Sequence, residues 1–190
     1  MVWIIIVVIL LVAFGPLLWL MPSHRERRLA KLRQRAYSDG MRVELRRMPK
    51  QNLAPEERVS ASGKPLDLTR ECAAYIYPLP ARLRMLPKWR VLRGDDGVPA
   101  YPGWVFDPGG RPDHPRLREM LEVLAPVVEG LPDDVVAVEA EPQNLAAYWL
   151  EGPGATPEKV GDLGSRLAVG ASQVTELDRR LRAETEGGNI

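Results

Sequence analysis

Hydrophobic and polar positions recur with different periods along this chain, and each period marks a different kind of element. Residues 2–20, VWIIIVVILLVAFGPLLWL, show no alternation and no charged side chain. At 1.5 Å per residue, a helix of that length covers roughly 28 Å, about the hydrocarbon thickness of a bilayer. Trp3 and Trp19 fall near its two ends, where indole rings favour a membrane interface. The run begins without positive charge and exits through Leu18, Trp19, Leu20, Met21 and Pro22, with no small-residue cleavage site. A retained single-pass anchor over 1–21 is therefore expected, not a cleaved leader.

Beyond Pro22 and Ser23 the spacing changes. Leu29, Leu32 and Ala36 mark a narrow apolar stripe at helical spacing, and Asp39-Gly40 closes it. MRVELRRM (41–48) alternates as a strand. Residues 49–69 have no period and are rich in Pro, Ser, Glu and Lys, which predicts a mobile loop. ECAAYIYPL (71–79), KWRVLR (88–93) and GWVF (103–106) read as strands, with turn chemistry at Gly94-Asp95-Asp96-Gly97. A helix is predicted over 114–130, with Pro115 near its start and Pro126 expected to bend or shorten it. DDVVAVEAEP (133–142) and NLAAYWLEG (144–152) read as a hairpin turning at Pro142-Gln143-Asn144.

The last helix has the clearest pattern. Thr156 is its candidate cap, with Pro157 and Glu158 in its first turn. Val160, Leu163, Leu167, Gly170, Val174, Leu177 and Leu181 recur at three- and four-residue steps. Gly161, Ser165, Ala168 and Ser172 run beside them as a small-residue strip. Packing onto the protein's own sheet is the default for this face. A partner helix or a second copy of the chain is the alternative. Residues 185–190 are expected to be disordered.

Charge sharpens this layout. The net charge of +1 over 190 residues conceals a partition. Residues 24–50 carry ten Lys or Arg against three acidic residues, a net of +7; residues 51–190 carry a net of −6. Arg25, Arg27, Arg28, Lys31, Arg33 and Arg35 all follow the apolar run, which predicts an outside N-terminus and a cytoplasmic remainder. The same residues, lying beside anionic head groups, would gain about 1 kcal/mol each. That reading is preferred to nucleic acid, because no stacking aromatic is interleaved before Tyr37.

Chemistry is sparse. No phosphate-binding glycine loop occurs; Gly152-Pro153-Gly154 is a turn. His24 and His114 have no neighbour at ligand spacing, and the single cysteine, Cys72, reads as a buried strand residue. The carboxylate pairs Asp95-Asp96 and Asp133-Asp134 sit where turns and strand starts use them. No catalytic, cofactor or metal residues are assigned, and no enzyme activity is expected. Tyr75, Tyr77, Trp89, Trp104, Tyr148 and Trp149 fall on predicted strands. Adjacent Tyr148 and Trp149 point to opposite faces, so one of them is a candidate contact residue.

In PLLWLMPSHRERR (16–28), the Trp89 and Trp104 region and LPDDVVAVEAEPQNLAAYWLEG (131–152), the chain resembles a family of uncharacterised single-pass inner-membrane proteins of gammaproteobacteria. Some members carry the label of a YajC-type preprotein translocase subunit. The YajC family is similar in having an anchor followed by proline and a basic stretch. Its soluble part is much smaller, and its Gly-Val-rich β segment has no counterpart here. The resemblance implies an inner-membrane location and an association with protein translocation.

The expected architecture is α+β: an N-terminal transmembrane helix (1–21), a basic juxtamembrane helix (22–40), then a cytoplasmic domain (41–184). That domain is a small, mostly antiparallel sheet of six strands with two helices packed on one face. The expected role is a membrane-anchored, non-catalytic accessory or scaffold protein. Its expected partners are an anionic lipid bilayer and a membrane protein complex, with homo-oligomerisation through the last helix as a further route. Membrane-interface residues are Trp3, Trp19, Arg25, Arg27, Arg28, Lys31, Arg33 and Arg35. Candidate partner-binding residues are Tyr148, Trp149, Leu167, Val174, Leu177 and Leu181.

Overall fold

The computed structural model describes Trp3, residues 23–51 and residues 69–187. Its elements are α1 (His24–Ser38), β1 (Arg42–Pro49), β2 (Thr69–Pro78), β3 (Trp89–Arg93), β4 (Pro99–Tyr101), β5 (Trp104–Phe106), α2 (Leu117–Glu129), β6 (Val135–Ala140), β7 (Asn144–Trp149) and α3 (Pro157–Gly187). Apart from Trp3, the stretch expected as an anchor lies outside the described residues, as do 52–68 of the expected loop and 188–190 of the expected tail.

Among the described residues no helix is long and apolar enough to cross a membrane. For the described residues, that finding corrects the expected transmembrane architecture, and with it the single-pass inner-membrane location and orientation, which no described helix supports. Each described helix buries one apolar face and carries charge on the rest, the pattern of a helix laid on a sheet. The 31-residue α3 is long enough to span, yet Glu158, Lys159, Asp162, Arg166, Arg179 and Arg180 are spread along it. The helix expected beside the membrane is α1, and it packs against α3 and β1 as part of the domain.

Seven strands, not six, form one sheet in the order β1-β2-β7-β6-β3-β5-β4, antiparallel at every pairing. The extra strand is β4, three residues long and begun by a proline, too short to register as an alternation. The β6–β7 hairpin turns where Glu141 and Asn144 exchange backbone hydrogen bonds at 2.8 and 3.3 Å. It is inserted between β2 and β3, which adjoin in sequence but not in the sheet.

All three helices lie on one face, not two. Strand alternation sends Tyr75, Trp89, Val91, Trp104, Leu145 and Trp149 to that face, where they meet Leu32 of α1, Leu124 of α2 and Val160, Leu163, Leu167, Val174 and Leu181 of α3. Full burial of each such side chain stabilises by about 1.5–3 kcal/mol. Glycine sets the closest approach. A Cβ on Gly170 would stand 3.0 Å from Leu124 and from Leu145. α2 begins at Leu117, later than the periodicity predicts, and runs through Pro126 to Glu129.

Two polar anchors pin the periphery. Asp178, only 1% exposed, accepts backbone N–H bonds from Arg84 at 2.8 Å and Met85 at 2.7 Å, tying the β2–β3 connection to α3. The Arg93 guanidinium donates to the carbonyls of Val135 and Pro132, both at 2.8 Å, and stacks 4.4 Å from the Trp104 ring.

Candidate functional site

The sheet face opposite the helices is built differently. Its floor is Met48, Cys72, Ala74, Ile76, Leu92, Val105, Val136, Ala137, Ala146 and Tyr148, to which none of the three helices contributes. Across this floor runs a row of alternating charge. Glu44 takes Arg42 at 2.8 Å and Arg46 at 2.9 Å; Arg46 and Arg90 flank Glu139 at 3.9 and 3.6 Å; Arg90 Nε donates to Asp107 at 2.7 Å. Pair registers explain the row, since Ala146 faces Glu139 and Glu139 faces Arg90 on neighbouring strands.

Tyr148 is the row's one phenol. Its hydroxyl donates to Glu139, and Arg46 Nη1 approaches it at 3.4 Å. Burial, and then the carboxylate beside it, push its pKa upward, so it is held as a donor. The hydrogen bond from Arg46 lowers the pKa of Glu44. The row is thus held together by its own alternating charges. Cys72 lies in the floor, its thiol pushed up to about 11 by burial, which leaves it an unreactive packing residue.

At the β3 end the row opens into a cleft of about 650 Å³ lined by Lys88, Trp89, Arg90, Asp107, Arg111, Asp113, His114, Glu139 and Glu141. Gly110, at φ +88, turns its outer wall. His114 Nδ1 accepts from the backbone of Arg116 at 3.2 Å, and the buried indole N–H of Trp89 has no hydrogen-bond partner among the described residues. Among the described residues no group of three or more His, Cys, Asp or Glu could hold a metal ion.

A third feature is the border formed by β1 and α1. β1 pairs eight residues with β2 without a register shift, and among the described residues its outer side has no neighbour in the sheet. Leu45 on it is 65% exposed. The other edge, β4, starts with Pro99 and carries a bulge. Behind β1, α1 begins at Ser23 in a reciprocal cap with Glu26, whose pKa is lowered by those bonds. Its Leu32 and Ala36 are fully buried.

The residues singled out from sequence scatter on this frame. Arg28 donates to the carbonyls of Pro153 at 2.7 Å and Glu151 at 3.4 Å; Arg35 bonds Asp39 at 2.8 Å and its guanidinium rests over Gly161. Arg33 is half-buried, while Arg25, Arg27 and Lys31 face outward. Trp3 is exposed, and Trp19 lies outside the described residues. Tyr148, Trp149 and Leu167 are fully buried, Val174 and Leu181 nearly so, and Leu177 packs against the core. All six contribute to the interior, and Leu177 alone of them stays partly exposed. Sequence reasoning missed the row, although Arg42, Glu44 and Arg46 at alternate positions of one strand were a legible sign of it.

Among the described residues these features define an α+β domain whose helices cover one side of an antiparallel sheet and leave a long strand open at one edge. No protein-family model, curated protein or solved structure matches the chain.

Proposed function

We propose that the chain is a non-catalytic binding module that holds a protein partner along the border formed by β1 and α1. The observation that carries this reading is the asymmetry of the two sheet edges. β4 is short, proline-started and bulged, as edges protected from pairing commonly are. β1 is eight residues long, regular, and bears an exposed leucine at its centre. The polar row supports the same role by stiffening the strands behind that edge. A photo-reactive residue at position 45, and another at Val169 on the outer face of α3, test it in cells that make the protein. Recurrent crosslinks to one protein are expected from position 45, and none from that position, or crosslinks only from 169, would sink the reading.

A further inference from the structure

Resting on the partner-binding reading above, we infer that β1 accepts an extended acidic segment of the partner as an eighth strand of the sheet. Strand addition needs an outer row of backbone N–H and C=O groups that side chains do not obstruct. β1 meets that condition because its own charges are drawn aside. Arg42 and Arg46 turn onto the sheet face toward Glu44, at 2.8 and 2.9 Å, and Arg47 lies 3.8 Å from Glu71 of β2. Pro49, which cannot donate, is confined to the last position. Leu45 stands on the other side of the strand, opposite Ala73 of the helix-covered face, where an incoming apolar side chain would shield it.

The sign of the partner follows from what surrounds the edge. β1 holds Arg42, Arg46 and Arg47 against Glu44 alone, and the helix bordering it presents Arg25, Arg27 and Lys31 to solvent. A second copy of this chain would bring two basic borders together, so charge disfavours self-pairing and selects an acidic strand. The exposed cations thus do two things at once. They keep the open edge from polymerising, and they discriminate among strands that could fill it.

The test uses the full chain and defined probes. A fluorescein-labelled eight-residue peptide alternating valine and glutamate is titrated by anisotropy. Its valine–lysine counterpart is run in parallel, as is a valine–glutamate version with alternate amides N-methylated. The glutamate peptide is expected to bind at least tenfold more tightly than either control, and to slow amide exchange at 42–49. Arg42→Glu with Arg47→Glu should weaken it at least tenfold without lowering the melting temperature. Arg118→Glu, on the distant α2, should not change it. Equal binding of the N-methylated peptide reduces the effect to charge attraction and overturns strand addition; equal binding of the lysine peptide, or none at all, overturns the acidic assignment. Self-association of the unaltered chain on light scattering overturns the argument against a second copy. If crosslinks in cells arise from position 45 while the N-methylated peptide binds as tightly as the glutamate peptide, this inference fails and the binding reading stands; crosslinks only from position 169 end both.

Discussion

Replacing Asp178 tests whether two backbone hydrogen bonds to one buried carboxylate hold the β2–β3 connection in place. Its Oδ1 accepts from Arg84 and Met85 at 2.8 and 2.7 Å, and its Oδ2 lies 3.2 Å from Arg182 Nε. Hydrogen bonds to a charged group contribute about 1.5–3 kcal/mol each. Two would sum to as much as ~6 kcal/mol, but Arg84 is exposed, so water can recover part of the loss. Asp178→Ala should therefore destabilise by about 3–4 kcal/mol, which for a chain of this length lowers the melting temperature by roughly 6–16 °C. Asp178→Asn keeps an acceptor for both amides and should cost about half as much. Arg182→Ala removes a partner that is one-third exposed and should cost under about 1 kcal/mol. Urea unfolding followed by circular dichroism, with unchanged m-values, ranks the three. If Arg182→Ala costs as much as Asp178→Ala, the ion pair carries the stability and the reasoning fails.

Other expectations concern packing and titration. Gly170→Val should destabilise by about 3 kcal/mol, since its side chain must enter space held by Leu124, Leu145 and Val127. Gly161→Ala meets only the flexible end of Arg35, so chemical denaturation should find it neutral or up to about 1 kcal/mol more stable. Cys72 should not react with a thiol reagent in the native state and should react fully in 6 M guanidinium, a concentration set by the roughly 5 M midpoint that bounds most domains. Burial first, then the carboxylates of Glu151, Glu129 and Glu139, raise the pKa values of Tyr75, Tyr101 and Tyr148 respectively above the usual 10.0. A raised folded value means that the stabilisation is complete below pH 10 and is lost as pH rises further. Absorbance at alkaline pH should show these three phenols ionising only together with unfolding; stepwise ionisation of a folded protein would refute their burial.

How much of this was legible in sequence depends on the range of the physics involved. The α3 stripe was readable because each of its positions repeats the same demand at helical spacing, and the β6–β7 hairpin because its turn chemistry is local. β4 was hidden, since three residues cannot show a period. The destination of the apolar stripe on α1 was hidden too: Leu32 and Ala36 give the same pattern whether they meet lipid or α3. The polar row was half visible. Arg42, Glu44 and Arg46 share one strand, whereas Glu139, Arg90 and Asp107 meet them only through strand order, which no local pattern encodes. Adjacent Tyr148 and Trp149 do point to opposite faces, yet both are buried, because the second face of the sheet has an apolar floor of its own.

Inserting the β6–β7 hairpin between β2 and β3 also fixes a schedule for the growing chain. Ala73 of β2 pairs with Trp149, and Trp89 of β3 pairs with Ala140. A nascent polypeptide that has left the ribosome only as far as α2 therefore carries β2 and β3 as two unfilled flanks of a sheet without its centre. Closing that gap is a late event in synthesis, and it joins two halves that until then share no strand. Among the described residues one long flank is left unfilled at the end, β1, bordered by basic side chains.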